Sequence, residues 1–291
     1  MGATGGNVLA PGPVIFLEED GHTEQPTLMR RILSARYVEV LKDFVSGEVL
    51  LAFDFDGTLS PIVSSPGGAR IRRSTRSLLK KLTAVYPCIL ISGRSRSDIR
   101  RRVRGIGFRE VIGNHGIEPW DSSWALERRV QGWAPKLRKE LRRFPGALLE
   151  NKGFSLSVHY RKVGRKRELI ASVERLVAKI PKAHLVGGKQ VINLVPQGPG
   201  DKGVALKREM KKRNCDRAVY VGDDATDESV FALPMGRRLL TIRVGRTRTS
   251  RARYFISSQR HIDRLLRVLI AGRHAGRGRA RLSLANSGEW D

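Results

Sequence analysis

Five apolar residues in a row, Val49-Leu50-Leu51-Ala52-Phe53, stop abruptly at Asp54-Phe55-Asp56-Gly57-Thr58-Leu59. A continuous apolar run that is too short for a helix reads as a strand covered on both faces. Strands of that kind belong to parallel sheets with helices packed on either side, because a parallel neighbour is reached only through a crossover. The chain around this run keeps to that alternation. A helical pattern starts at Thr27 and ends at Gly47, and a second helix over 75–85 leads to a second apolar strand over 88–91. A basic helix over 96–103 and a short strand over 111–112 follow.

The middle of the chain has another character. A helix over 127–143, a strand over 147–149 and a strictly alternating stretch over 155–160 are followed by a helix over 165–180 and a strand over 190–195. Alternation of that kind marks an antiparallel sheet with one open face. The parallel-sheet rhythm then resumes, with helices over 202–212, 228–232 and 261–271 and strands over 218–221 and 239–244. The pattern predicts an α/β fold, a Rossmann-like core over 29–114 and 197–271 with a small α/β unit, 115–196, inserted into it. The Gly/Pro-rich residues 1–28 and the Gly/Arg/Ser-rich residues 272–291 read as loose tails.

Composition narrows the function classes. No stretch approaches the ~18–20 consecutive apolar residues of a membrane helix, and residues 1–20 lack the pattern of a secretory signal. Two cysteines, Cys88 and Cys215, make no disulfide framework, so a reducing, cytoplasmic setting is expected. The net charge is +27, and 40 of the 55 basic residues are arginines spread over the chain. Aromatic residues are only 6%, without the basic–aromatic interleaving of single-strand binders. The densest run, Arg237 to Arg253, holds seven arginines and no acid. Nucleic-acid binding is therefore not expected as the main function.

The acids stand out against this basic background. Asp54 and Asp56 leave one strand. Gly222-Asp223-Asp224-Ala225-Thr226-Asp227-Glu228 leaves another. In open parallel sheets ligands bind beyond the carboxyl ends of strands. Carboxylates gathered there repel unless a cation sits among them, and Mg²⁺ favours a few carboxylates plus phosphate oxygens and water. Helix capping accounts for part of the second cluster, but not for Asp223-Asp224 at the strand exit. Ser92-Gly93-Arg94, after the second strand, offers a hydroxyl, a backbone N–H and a guanidinium suited to a phosphate. Lys202 opens a helix against the dipole preference, a conflict that a bound anion would resolve. Gly198-Pro-Gly200-Asp-Lys-Gly203 also matches a dinucleotide-binding fingerprint, with Asp223 about 20 residues on. That oxidoreductase reading leaves both acidic strand exits idle.

Taken in order, Asp54-Phe-Asp56-Gly-Thr58, Ser92-Gly-Arg94, Lys202 and Gly222-Asp-Asp224 resemble the four motifs of the haloacid dehalogenase phosphohydrolase superfamily. Gly222 to Phe231, with its Thr-Asp-Glu, is similar to the fourth motif of trehalose-6-phosphate phosphatases. Gly113-Asn-His-Gly116 and Glu150 to Arg161 look like their cap sequences. The resemblance covers Leu28 to Ala271. It implies Asp54 as nucleophile and Asp56 as acid and base. It implies Mg²⁺ on Asp54, the Asp56 carbonyl and Asp223, with Asp224 and Asp227 behind them. Ser92, Gly93 and Lys202 would hold the phosphate. Arg94, His115, Glu150, Lys152, Arg161, Lys189 and Asn193 would face the substrate, a sugar phosphate. Asn193 stands where the family has Glu, and one further residue is inserted within Gln197–Gly200, which bears on the choice of sugar. Association with a trehalose-phosphate synthase is a further implication. The alternatives are a phosphatase for another sugar phosphate, or a nucleic-acid-binding protein built on this scaffold.

Overall fold

The computed structural model describes residues 29–63, 66–198 and 200–273. The tails expected over 1–28 and from 274 onward lie outside the described residues. The chain divides into two compact units, one made by Ser123–Gly198 and the other by the segments before and after it.

The larger unit holds seven strands: β1 (Arg30–Arg31), β2 (Leu50–Phe53), β3 (Cys88–Ile91), β4 (Glu110–Ile112), β9 (Ala218–Gly222), β10 (Leu239–Val244) and β11 (Tyr254–Ile256). All seven pair in parallel, in the order β1-β11-β10-β9-β2-β3-β4. Helices α1 (Ala35–Val45), α2 (Arg73–Val85), α3 (Arg96–Arg102), α6 (Lys202–Lys212), α7 (Glu228–Phe231) and α8 (262–273) accompany them. Alternate residues of each strand go to opposite faces. Leu51, Phe53, Leu90, Val219 and Val221 join one apolar cluster with Leu79 and Leu82 of α2 and Leu265 and Leu269 of α8. Leu50, Ala52, Ile89, Ala218 and Tyr220 join another with Leu206 and Met210 of α6 and Phe231 of α7. This is why the strands read as unbroken apolar runs.

The order β9-β2-β3 positions the site. The chain builds β3 and β4 on one side of β2, then returns to build β9, β10 and β11 on the other. The crevice of such a sheet opens where the order reverses, at the carboxyl ends of β2 and β9. Both acidic clusters leave the sheet at that point.

The smaller unit carries α4 (Trp124–Leu141), α5 (Lys166–Val177) and four strands: β5 (Leu148–Asn151), β6 (Leu156–His159), β7 (Ala183–Gly188) and β8 (Val191–Pro196). The strands pair antiparallel in the order β5-β6-β8-β7. Leu156, Val158, Ile192 and Leu194 line one face and pack with Val130, Leu137, Leu169 and Val173 of the two helices.

Several elements differ from the sequence pattern. The helix expected from Thr27 starts at Ala35. Ile32 and Leu33 are buried in turn structure, and the Ile32 N–H donates to the Phe255 carbonyl at 3.1 Å. Those apolar residues mimic a helical period while serving a sheet edge. The strands β1, β7 and β11 have no counterpart in the pattern, being two or three residues long or ending in two glycines. The last helix runs to 273, past the expected tail boundary at 272. Residues 115–122 fall with the parallel sheet and not with the smaller unit. Glu118 holds them there, its Oε2 accepting from the Arg96 N–H and from Asn114 Nδ2, both at 2.6 Å. Among the described residues no helix is long and apolar enough to cross a membrane.

Candidate active site

The Asp54 N–H donates to the Val221 carbonyl at 2.9 Å, which ties the exit of β2 to that of β9. The chain then turns sharply, with Gly57 at φ +81° and its N–H donating to the Ser60 carbonyl at 2.8 Å. The turn needs glycine for two reasons. A side chain is strained at that φ, and a Cβ there would run into the Asp223 carboxylate. The missing side chain lets the second acidic cluster lie against the first. Gly57→Ala should therefore reduce turnover at least about tenfold and raise the divalent-cation concentration needed for half-maximal rate, in a protein that still folds. An unchanged cation requirement would show that the two clusters do not act together.

Lys202, at the start of α6, is only 2% exposed. Its Nζ donates to Asp54 Oδ1 and to Asp227 Oδ1, each at 2.8 Å. Burial works against the Lys202 cation, but the Asp227 and Asp54 carboxylates outweigh it and hold its pKa well above the usual lysine range. Burial pushes the Asp54 carboxyl well up, Lys202 pulls against it, and Asp227 and Asp223 push it higher. The arrangement concentrates negative charge beyond what one lysine balances.

Asp54, Asp223 and Asp227 each offer a carboxylate oxygen within 4.8 Å of the others, so this buried cluster could hold a cation. The three are not equivalent. Asp227 Oδ1 accepts from Lys202 and from the Tyr220 hydroxyl at 2.7 Å, while Oδ2 accepts from the N–H groups of Asp223 and Asp224 at 2.7 and 2.9 Å. Those four bonds engage both carboxylate oxygens. Asp227 organises the turn and anchors Lys202; burial opposes its charge, but Lys202 and the donated N–H bonds hold its pKa below the usual range. Asp224 caps the same turn, its Oδ1 accepting from the N–H and hydroxyl of Thr226. Asp54, Asp223 and Asp227 together remain the buried carboxylates able to hold a cation, Asp227 while also bonding Lys202, Tyr220 and two backbone N–H groups.

Ser92 is fully buried at the exit of β3, and its Oγ accepts from the Arg94 N–H at 3.2 Å. Gly93 lies against the His115 ring, which occupies the space a Cβ would need. Asn114 and His115 both adopt left-handed backbone, φ 47° and 60°, a strain characteristic of functional loops. Arg94 is held between two carboxylates. Its Nε and Nη2 donate to the two oxygens of Asp56, both at 2.7 Å, and its Nη1 donates to Asp98 at 3.0 Å.

In the smaller unit Glu150, Ser157, Asn193 and Val186 form one cross-strand row. Asn193 sits in the middle of this row. It is 3% exposed, its Oδ1 accepts from the Ser157 hydroxyl at 2.6 Å, and its Nδ2 donates to the Val186 carbonyl at 3.3 Å. Its amide thus bonds to both neighbouring strands. Glu150 pairs with His159 at 2.7 Å and lies 4.0 Å from Lys152 Nζ. Arg161 and Lys189 are exposed at one end of this sheet, where Lys189-Gln190 forms the tight turn between β7 and β8. Lys152 sits at the other end, in the β5–β6 turn, its N–H donating to the Ser155 carbonyl. The expected sugar-facing residues of this unit thus divide into two groups along the strands.

The residues missed in sequence are Tyr220, Asp98 and Ser157. Tyr220 is hidden in an apolar strand run, and Ser157 gains meaning only from the strand opposite it. Asp98 carried a signal, the four-residue spacing from Arg94 that brings opposite charges together. The dinucleotide fingerprint fails on topology. The strand before Gly198, β8, belongs to the antiparallel sheet, so no parallel βαβ unit surrounds it.

A family profile described as trehalose-phosphatase matches residues 52–258. A trehalose-phosphate phosphatase from Mycolicibacterium paratuberculosis is 37% identical over 196 residues, covering 62% of this chain and 49% of that protein. The probable trehalose-phosphate phosphatase 4 of Oryza sativa subsp. japonica is 31% identical over 215 residues, covering 68% and 58%. The chain thus spans about half to three fifths of the length of these relatives. The C-terminal domain of Candida albicans trehalose-6-phosphate phosphatase superposes with a TM-score of 0.70 at 20% identity, covering 84% of this chain and 99% of that one. With acidic strand exits meeting at the reversal of strand order, a buried lysine between them and a profile match across most of its length, the chain belongs to the trehalose-phosphatase family.

Proposed function

We propose that this chain hydrolyses trehalose 6-phosphate to trehalose and inorganic phosphate, with Asp54 as nucleophile, Asp56 as acid and base, and Mg²⁺ as the resident cation. The observation that carries the reading is Lys202, buried and bonded to both Asp54 and Asp227 at 2.8 Å where the strand order of the parallel sheet reverses. Such a site suits a reaction that consists mainly of positioning and neutralising a phosphoryl group.

In the first step an Asp54 oxygen attacks phosphorus and the bond from phosphorus to the sugar oxygen breaks. Asp56 gives its proton to that oxygen, trehalose leaves, and an aspartyl-phosphate remains. In the second step Asp56 takes a proton from water as the water oxygen attacks phosphorus. The acyl–phosphate bond breaks, which returns the Asp54 carboxylate and frees phosphate. Ser92, the Gly93 N–H and Lys202 hold the phosphoryl oxygens throughout. Asp54, the Asp56 carbonyl and Asp223 would hold Mg²⁺, which neutralises phosphoryl charge when bound. Within the smaller unit, Glu150, Lys152, Arg161 and Lys189 would contribute contacts to the sugar. Both cysteines are free and buried, which supports a reducing, cytoplasmic setting.

The test is phosphate release from trehalose 6-phosphate and glucose 6-phosphate, with Mg²⁺, Ca²⁺ or EDTA. Turnover should vanish in EDTA, return with Mg²⁺ and return poorly with Ca²⁺, which prefers a higher coordination number. The disaccharide phosphate should be favoured at least about tenfold in kcat/KM, a difference of ~1.4 kcal/mol in transition-state binding. Full turnover in EDTA would remove the metal assignment. Equal use of both sugars would remove the substrate.

A further inference from the structure

Asp56 and Arg94 differ in their surroundings in a way that suggests a division of labour. The Asp56 side chain is 42% exposed, whereas that of Arg94 is 9% exposed. A carboxylate in that position on a loop rotates freely unless something holds it. The guanidinium approaches it side-on, with Nε and Nη2 each 2.7 Å from a different oxygen. Two parallel bonds of this kind fix the plane of the carboxylate as well as its distance. The guanidinium is itself held, because Nη1 donates to Asp98 at 3.0 Å, and its carbon lies 5.5 Å from the centre of the Phe55 ring. Asp98 in turn accepts from Arg102 at 2.8 Å, and Arg102 reaches the Ala69 carbonyl at 2.6 Å. The partly exposed carboxylate is thus the tip of a buried, braced arm.

We propose that Arg94 is a positioning residue for the acid–base step, fixing the Asp56 carboxylate in one orientation from an anchor on Asp98. This rests on the reading of Asp56 as the group that protonates the leaving sugar oxygen. The consequence is specific to the leaving group. A sugar alkoxide needs a proton to depart, whereas 4-nitrophenolate departs without one. kcat/KM reports only the steps through alcohol release, so it isolates that difference.

General acid–base help contributes about 10²–10⁴-fold, and a carboxylate held loosely keeps part of it. Arg94→Lys, which offers one point of attachment in place of a fork, should lower kcat/KM for trehalose 6-phosphate about 10–100-fold, on the same principle. For 4-nitrophenyl phosphate the loss should stay within about threefold, since this substrate does not draw on the proton. Arg94→Ala should show the same split, and added guanidinium ion should recover the sugar-phosphate rate alone. That recovery also separates a positioning role from misfolding. Equal losses on both substrates, with no recovery, would overturn the proposal. A raised KM with unchanged kcat on both would make Arg94 a phosphate-binding residue instead. Asp54→Asn serves as the control for the underlying reading. If it stays active, the assignment of the whole site fails. If it is inactive while Arg94→Lys matches the parent on both substrates, that assignment stands and only the role of Arg94 falls.

Discussion

Asp54→Asn should fold, melt no lower than the parent when divalent cations are absent, and release no phosphate. The substitution keeps the shape of the side chain, and its carbonyl oxygen can still accept from Lys202. It removes one negative charge from a buried place where burial, Asp227 and Asp223 already press the carboxyl toward its neutral form. Relief of that strain should leave stability equal or raised, as is common when a catalytic charge is neutralised. The amide cannot form an acyl-phosphate, so kcat should fall about 10⁴-fold or more, the scale on which nucleophile deletions act. A direct check is radiolabelled phosphate trapped on acid-quenched protein and released by hydroxylamine. The parent should carry the label and Asp54→Asn should not. A folded variant with near-parental kcat, or one that still traps label, would end the assignment of Asp54.

Lys202→Met should fail in the opposite way, losing both activity and stability. The methionine fills much of the same volume but leaves Asp54 and Asp227 without the cation that lies 2.8 Å from each. Removing one member of a buried charge group typically costs about 3–5 kcal/mol, because the partners stay buried and unbalanced. For a chain of this size that lowers the melting midpoint by about 10 °C. Coupling to Asp54 makes the argument testable. In the Asp54→Asn background one of the two stranded charges is gone, so Lys202→Met should cost about 1–3 kcal/mol less than in the parent. Measuring the four melting or denaturant midpoints closes the cycle. Additive effects would show that Lys202 and Asp54 are not energetically coupled.

The main features of the site were legible because they are local. A strand covered on both faces has to be apolar at consecutive positions, so β2, β3 and β9 show as runs, and an acid ending such a run shows at once. Asp54, Asp56, Ser92, Lys202 and Asp223 are each named by their place at the end of a strand or the start of a helix. Short edge strands lack such a signal. The two residues of β1 and the three of β11 are strands only because a neighbour accepts and donates their backbone bonds.

Side-chain roles that depend on a distant partner were not legible. The bond from Arg94 to Asp56, 38 residues earlier in the chain, is not visible in its motif. The bond that Asn193 accepts from Ser157, 36 residues away on the adjacent strand, has no trace in the sequence pattern. Asp227 reads as one more acid in a cluster, and only the fold shows that its four hydrogen bonds are taken. Sequence pattern alone determined the α/β class, the inserted antiparallel unit and the strand exits that bear charge, because backbone periodicity is written in neighbouring residues. Which of those charges meet, and which are already satisfied, was decided by the strand order β9-β2-β3 and the register of β6 against β8. Hydrogen bonds and ion pairs act over a few ångströms of space, and no spacing along the chain encodes that distance.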